Sequence, residues 1–222
     1  MQFSEWEPVY DEILNDLGFD RSADEASAKL LKMLTLNSLI ISEDELGSMI
    51  ADEVSVVGGN VSADDIRRLN SENTKTLISA GSATDVLIAN GIIPDIAVTD
   101  LDGDVELQKK ASFLGSVTMI HAHGDNSHLI MEHVKEFRGP IMITTQSHPD
   151  QVLCNFGGFT DGDRSVCVAR HFGAKRIRLM GFDFETPANK ETADPEMKKK
   201  KLKWAKKVIF DMNPREVTII TE

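Results

Sequence analysis

From about residue 51 the chain alternates short apolar runs with segments of helical length, and this alternation leaves few folds open. The runs are Val54–Val57, Thr76–Ser79, Ile96–Thr99, Val117–Ile120, Ile141–Thr145 and Ile177–Met180. They are continuously apolar, as strands buried on both faces are. Helix-like stretches lie between them, near residues 63–70, 83–90, 105–114, 126–137 and 163–172. Strand–helix repetition of this kind predicts an α/β fold: a mostly parallel, Rossmann-like sheet with helices on both faces. A lysine-rich helix from Pro195 to Asp211 and a last strand, Glu216–Ile220, close the chain. Residues 51–222 are therefore expected to form one α/β domain with a basic C-terminal helix, and 189–196 its most mobile loop.

Residues 1–50 read differently. Trp6, Tyr10, Ile13, Leu14 and Leu17 recur at helical spacing and stop at Gly18. Ser22 with Glu25, and Ser42 with Glu45, make capping-box patterns. No strand signal occurs here, so a small helical N-terminal region is expected. It covers the sheet, completes a pocket or pairs two copies into a homodimer, and the sequence leaves all three open.

Composition narrows the function. The formal charge is −12 over 222 residues, a field that repels nucleic acid. Lys198–Glu222 runs the other way, with eight Lys/Arg against three Asp/Glu. A membrane-surface role for that basic helix does not fit so acidic a body, and no apolar run is long enough to span a bilayer. The acidic N-terminus lacks the features of a secretory signal. The two cysteines, Cys154 and Cys167, form no CxxC pattern, which fits a reducing cytoplasm.

Ligands of an open parallel sheet bind beyond the carboxyl ends of its strands, and there the chain places its polar clusters. Gly58-Gly59, Gly81-Ser82, Asp100–Asp104, His121–Asn126, Gln146–His148 and Gly181–Asp183 each follow a run. The glycines either let phosphate approach the backbone or make tight turns; they match neither GxGxxG nor GxxxxGK[ST]. Asp100, Asp102 and Asp104 repel one another unless solvated or bridged by a cation, and oxygen ligands of this kind suit Mg²⁺. Asp100 and Asp102 are the expected ligands, with Asp104 capping the next helix. His121 and His123 have strand spacing and point the same way. They contact phosphate or substrate, orient Asp125, join it in a zinc or iron site, or serve only the core. Arg164 suits a phosphate, and one or more of the lysines from Lys198 to Lys207 face either phosphate or solvent.

The segment Gly91-Ile92-Ile93-Pro94-Asp95-Ile96-Ala97-Val98-Thr99-Asp100-Leu101-Asp102 resembles the G-I-x-P-D-x-x-x-x-D-x-D signature of thiamin pyrophosphokinases. Val57-Gly58-Gly59, Pro94–Asp104, His121–Asn126, Gly158–Arg164, Gly181-Phe182-Asp183-Phe184 and Lys200-Lys201-Leu202, in that order, look closer to the archaeal 6-hydroxymethyl-7,8-dihydropterin pyrophosphokinases. The resemblance covers about residues 54–205. It departs from the family at Gly59-Asn60-Val61-Ser62, where a Gly-Pro-Ser-like turn is common.

The resemblance implies an Mg²⁺-dependent transfer of the pyrophosphoryl group of ATP to a dihydropterin alcohol, releasing AMP. It places Mg²⁺ on Asp100 and Asp102 and makes Asp125 or His123 the proton acceptor. Gly58, Gly59, Gly81, Ser82, Arg164, Lys200 and Lys203 are the expected ATP contacts, and Asn126, Asp161 and Asp183 the expected pterin contacts. Three other readings remain: thiamin as acceptor, a glycosyltransferase-like enzyme of the flagellin-glycosylation relatives, and a nucleotide-binding module without catalysis.

Overall fold

A computed structural model describes residues 1–72, 74–185 and 194–222. The loop expected at 189–196 lies, up to residue 193, outside the described residues. The strands are β1 (Glu53–Val57), β2 (Thr76–Ala80), β3 (Ile96–Thr99), β4 (Val117–Ala122), β5 (Ile141–Thr145), β6 (Arg176–Met180) and β7 (Thr218–Thr221). The helices are α1 (Phe3–Leu17), α2 (Arg21–Leu34), α3 (Glu43–Ser48), α4 (Ala63–Ser71), α5 (Ala83–Ala89), α6 (Val105–Phe113), α7 (Ser127–His133), α8 (Asp161–His171) and α9 (Pro195–Lys206).

All seven strands are parallel, in the order β5-β4-β3-β2-β1-β6-β7. The chain enters at β1, steps outward to β5, then returns to the far side of β1 with β6. That reversal opens a crevice at the carboxyl ends of β1 and β6. The sheet carries helices on both faces, as the continuous apolar runs require. One face packs Val56, Ile78 and Val98 against Val166 and Ala169 of α8 and Leu46 of α3. The other packs Ile120 and Ile143 against Leu31 of α2 and Ile130 of α7, and Val57 and Leu77 against Ile66 of α4 and Leu87 of α5. Trp6, Tyr10 and Ile13 of α1 form an outer layer on Cys167 of α8 and Val208. Both cysteines are free and buried, and no helix among the described residues is long and apolar enough to cross a membrane.

Three details differ from the sequence expectation. Helix α2 is capped by Asp20, whose carboxylate accepts from the Ser22 N–H at 2.9 Å; Glu25, freed from any capping box, accepts from Ser147 Oγ instead. Ile40 pairs with Ile141 beside β5, a contact too short to leave a strand periodicity. The last strand starts at Thr218 because Val217 N–H is turned back onto the Pro214 carbonyl. The capping box of Ser42 and Glu45 forms as read.

Candidate active site

A cavity of about 320 Å³ opens at the carboxyl ends of β1 to β5. Its floor is the segment after β3. Asp100 and Asp102 both line the cavity, and the Asp102 N–H donates to Asp100 Oδ1 at 3.0 Å. Leu101 between them stands at φ 69°, a region that a bulky residue seldom occupies. Its side chain is 1% exposed and its N–H donates to Thr99 Oγ1 at 2.8 Å. Burying the leucine turns the two flanking carboxylates outward together. Gln108 Nε2 holds the Asp102 carbonyl at 2.8 Å, and Asp85 accepts from the Asp104 N–H at 3.0 Å. Asp104 itself caps α6 through the N–H groups of Glu106 and Leu107.

The end of β4 completes this floor. The Asp125 N–H lies 3.3 Å from His123 Nδ1, and His123 Nε2 faces Asp100 Oδ2 at 3.3 Å. Burial works to raise the Asp100 carboxyl, but the hydrogen bond and charge of His123, the Asp102 N–H and the Arg164 guanidinium outweigh it and lower the group to about 2. Asp125 stands exposed on the cavity wall. Asn126 does not reach the cavity. Its amide donates to the carbonyls of Asp100 at 2.9 Å and His121 at 2.7 Å, and its oxygen accepts from the His123 N–H at 3.0 Å. It ties the ends of β3 and β4 together with both amide hydrogens committed, and it is absent from the cavity lining. His121 is buried under the floor with Nδ1 3.0 Å from Thr144 Oγ1, and burial pushes its pKa well below the usual value.

The facing wall is the start of α8. Arg164 donates to Asp161 Oδ1 at 2.8 Å and to the Phe159 carbonyl at 3.0 Å. Burial, then the charge of Asp100, push the Asp161 carboxyl well above the usual range, against the pull of Arg164. A Cβ on Gly81 would lie 3.0 Å from Asp161 Oδ2, so this bare glycine lets the carboxylate rest on the backbone. Gly59 and Ser82 line the same cavity, whereas Gly58 and Asp183 line a second, smaller crevice of about 180 Å³ between β1 and β6. Gly58 is required by packing: a Cβ there would meet the Gly181 carbonyl at 2.7 Å.

The lysines are sorted by the rotation of α9. Lys200 points away from the cavity, its Nζ on the carbonyl and carboxylate of Asp16 at 2.8 and 3.0 Å. Lys203 is exposed and does not line the cavity. Lys201 does line it, because one residue step turns a helix by about 100°. The N-terminal helices also contribute. Phe19, Asp20, Ala23 and Asp24 form part of the wall, beside Gln146 at the end of β5. Sequence pattern marks α1 and α2 as amphipathic but carries no signal for the surface they cover.

Residues 51–189 match the family model described as 6-hydroxymethylpterin diphosphokinase MptE-like. A curated protein of Pyrococcus furiosus, named 6-hydroxymethyl-7,8-dihydropterin pyrophosphokinase, is 37% identical over 94% of this chain and 93% of its own length. Proteins of the same name from Methanothermobacter thermautotrophicus and Methanocaldococcus jannaschii are 36% identical, over 94% of this chain and 94% and 95% of theirs. The chain belongs to this family. The MptE-like match holds every strand-end cluster from Gly58 to Asp183 but stops short of α1, α2 and α9. The alignments to the archaeal pyrophosphokinases take in 94% of this chain and so reach beyond it at both ends. The cavity walls supplied by α2 and α9 therefore lie in the aligned part of the chain, not in an appendage of this one protein.

Proposed function

We propose that this chain transfers the pyrophosphoryl group of ATP to the hydroxymethyl oxygen of 6-hydroxymethyl-7,8-dihydropterin and releases AMP. The alcohol oxygen forms a bond to the β-phosphorus. The bond from that phosphorus to the oxygen bridging it to the α-phosphorus breaks, and AMP leaves with that oxygen. The observation that carries this reading is the pair Asp100–Asp102, turned by Leu101 into a cavity whose neighbouring wall is Gly59, Gly81 and Ser82. The names of the archaeal relatives supply the acceptor.

Among the described residues no group of three or more His, Cys, Asp or Glu side chains is gathered to hold a metal. Two adjacent carboxylates fit Mg²⁺, which keeps several waters and shares phosphate oxygens with its substrate. When bound, the ion neutralises charge on the transferred phosphate. The remaining work falls to the protein: positioning, and stabilising charge in a walled site. In this reading His123 keeps Asp100 ionised and oriented, and Asp125 on the cavity wall takes the alcohol proton. The crevice between β1 and β6, which shares Gly59 and Gly162 with the main cavity, takes the nucleoside end of ATP, as expected where strand order reverses. The pterin lies towards Gln146 and the N-terminal helices.

The test is AMP formation from ATP and Mg²⁺ with the dihydropterin, and with thiamin in a parallel reaction. Pterin-dependent AMP that falls by roughly 100-fold or more in Asp102→Asn is the expected outcome. AMP with thiamin alone would keep the chemistry and replace the acceptor. Folded protein that binds ATP and yields AMP with neither refutes the reading.

A further inference from the structure

Among the described residues the main cavity is lined by six aspartates and only two side chains that are permanent cations, Arg164 and Lys201. Arg164 is committed. Its guanidinium is bonded to Asp161 and to the Phe159 carbonyl, and its side chain is 4% exposed. Other lysines of α9 and its continuation are committed as well: Lys199 to Glu196, Lys200 to Asp16, Lys206 to Glu185 and Lys207 to Glu12. Lys201 is different. Among the described residues no carboxylate pairs with it. Its Nζ rests over two aromatic rings, 5.4 Å from the centroid of Phe19 and 5.9 Å from that of Phe159. Those rings stack on each other, centroids 6.2 Å apart and planes 21° from parallel, and form an apolar wall in a cavity otherwise mostly polar.

A polyphosphate brings several negative charges into a basin already rich in carboxylates. A single divalent ion on Asp100 and Asp102 does not balance them. An ammonium on a flexible four-carbon stem, held only by ring faces, is free to exchange that contact for a stronger charge-assisted bond to phosphate.

We propose that Lys201 is a catalytic residue of this site. On donor binding it leaves the Phe19–Phe159 pair, hydrogen-bonds the non-bridging oxygens of the phosphate being transferred, and exposes the rings to the flat face of the acceptor. The acceptor half of this inference rests on the diphosphokinase reading; the phosphate half needs only a polyphosphate ligand.

The experiment compares the wild type with Lys201→Met, Lys201→Arg and Lys206→Met. Methionine keeps the apolar stem against the rings and removes the charge. Calorimetry with Mg²⁺ and inorganic tripolyphosphate reads the phosphate contact without any acceptor, and steady-state AMP formation reads turnover. Lys201→Met is expected to weaken tripolyphosphate by about tenfold and to lower kcat by roughly 100-fold, with an unchanged unfolding midpoint. Lys201→Arg is expected to recover part of both, and Lys206→Met to match the wild type. Wild-type tripolyphosphate affinity and kcat in Lys201→Met would overturn the proposal, as would an equal loss in Lys206→Met. If the wild type forms no AMP yet its tripolyphosphate affinity still depends on Lys201, the diphosphokinase reading fails and the phosphate role of Lys201 stands.

Discussion

Asp24 shows how much one buried carboxylate can hold in place. It is 4% exposed and accepts from Tyr10 Oη at 2.5 Å, Gln146 Nε2 at 2.7 Å and the Gly124 N–H at 2.6 Å. Burial, and then the hydrogen bond and charge of Asp24, push the Tyr10 phenol well above its usual pKa, so it stays a donor. One side chain thus joins α1, α2, the end of β5 and the loop that carries His123 and Asp125. Asp24→Ala would strand two buried donors, on Tyr10 and Gln146, and the half-buried Gly124 N–H, each costing up to about 1–3 kcal/mol if nothing replaces the carboxylate. Allowing for non-additivity, a loss of roughly 3–5 kcal/mol is expected in urea unfolding. A loss below about 1 kcal/mol would mean that water takes over the site and the network is not structural. Nothing in the sequence around Asp24 announces this role, since its three partners lie on other elements. Asn126 is the reverse case. Its place after β4 suggested a ligand contact, but a side chain with two donors and one acceptor serves as well to splice two strand ends, and only three dimensions separate the two uses. Asp100 and Asp102 were legible because their chemistry is local: carboxylates two residues apart at a strand end need solvent or a cation whatever surrounds them.

At the scale of elements, the strands and crossover helices could be read because apolar runs and caps are properties of consecutive residues. What could not be read is how an element is turned. The lysine run was visible, yet the choice of Lys201 over Lys200 and Lys203 depends on the rotation of α9 on Phe19 and Phe159. The entry to α8 has a similar logic. Thr160 and Asp163 form its capping box, and Gly158 precedes them at φ 92°. A Cβ on Gly158 would fall 2.3 Å from the Arg164 Cα, so the loop lies directly on the first turn of the helix it enters. Backbone cannot yield as a side-chain end can. Gly158→Ala is expected to cost about 2–4 kcal/mol, from forced positive φ and overpacking together, and to reduce turnover by displacing Asp161 and Arg164. Glycine at 18, at φ 71° with nothing within 4 Å of a Cβ, provides the comparison. Gly18→Ala carries only the φ penalty and should cost about 1 kcal/mol. Equal losses in chemical denaturation would show that close approach at Gly158 contributes nothing.

For the molecule as a whole, ion pairs that join distant segments tie stability to pH. Lys32 on α2 pairs with Asp150 beyond β5, and Arg178 on β6 pairs with Glu222 at the chain end. The Lys32 ammonium, with the Val152 N–H, lowers the Asp150 carboxyl to about 2, and Arg178 lowers Glu222. A carboxyl depressed in the folded state contributes stability that is fully present above its unfolded pKa, about 4, and is lost as pH falls through the folded value. Protonation below that range also leaves Lys and Arg, 24 in all, without counter-charges. Stability is therefore expected to decline between about pH 4 and 2. Lys32→Met isolates one contribution. Both partners are 42% exposed, so solvent screening holds their attraction to about 1 kcal/mol or less. Without Lys32, Asp150 returns towards its ordinary pKa. The variant should then be less stable than the wild type by that small margin at pH 7, and the difference should vanish as pH falls to about 2. Urea unfolding of both proteins at several pH values measures it. A gap that persists unchanged at pH 2 would mean that Lys32 stabilises by packing its stem against the protein rather than by charge, and that the acid limit is set by other carboxylates, Glu222 among them.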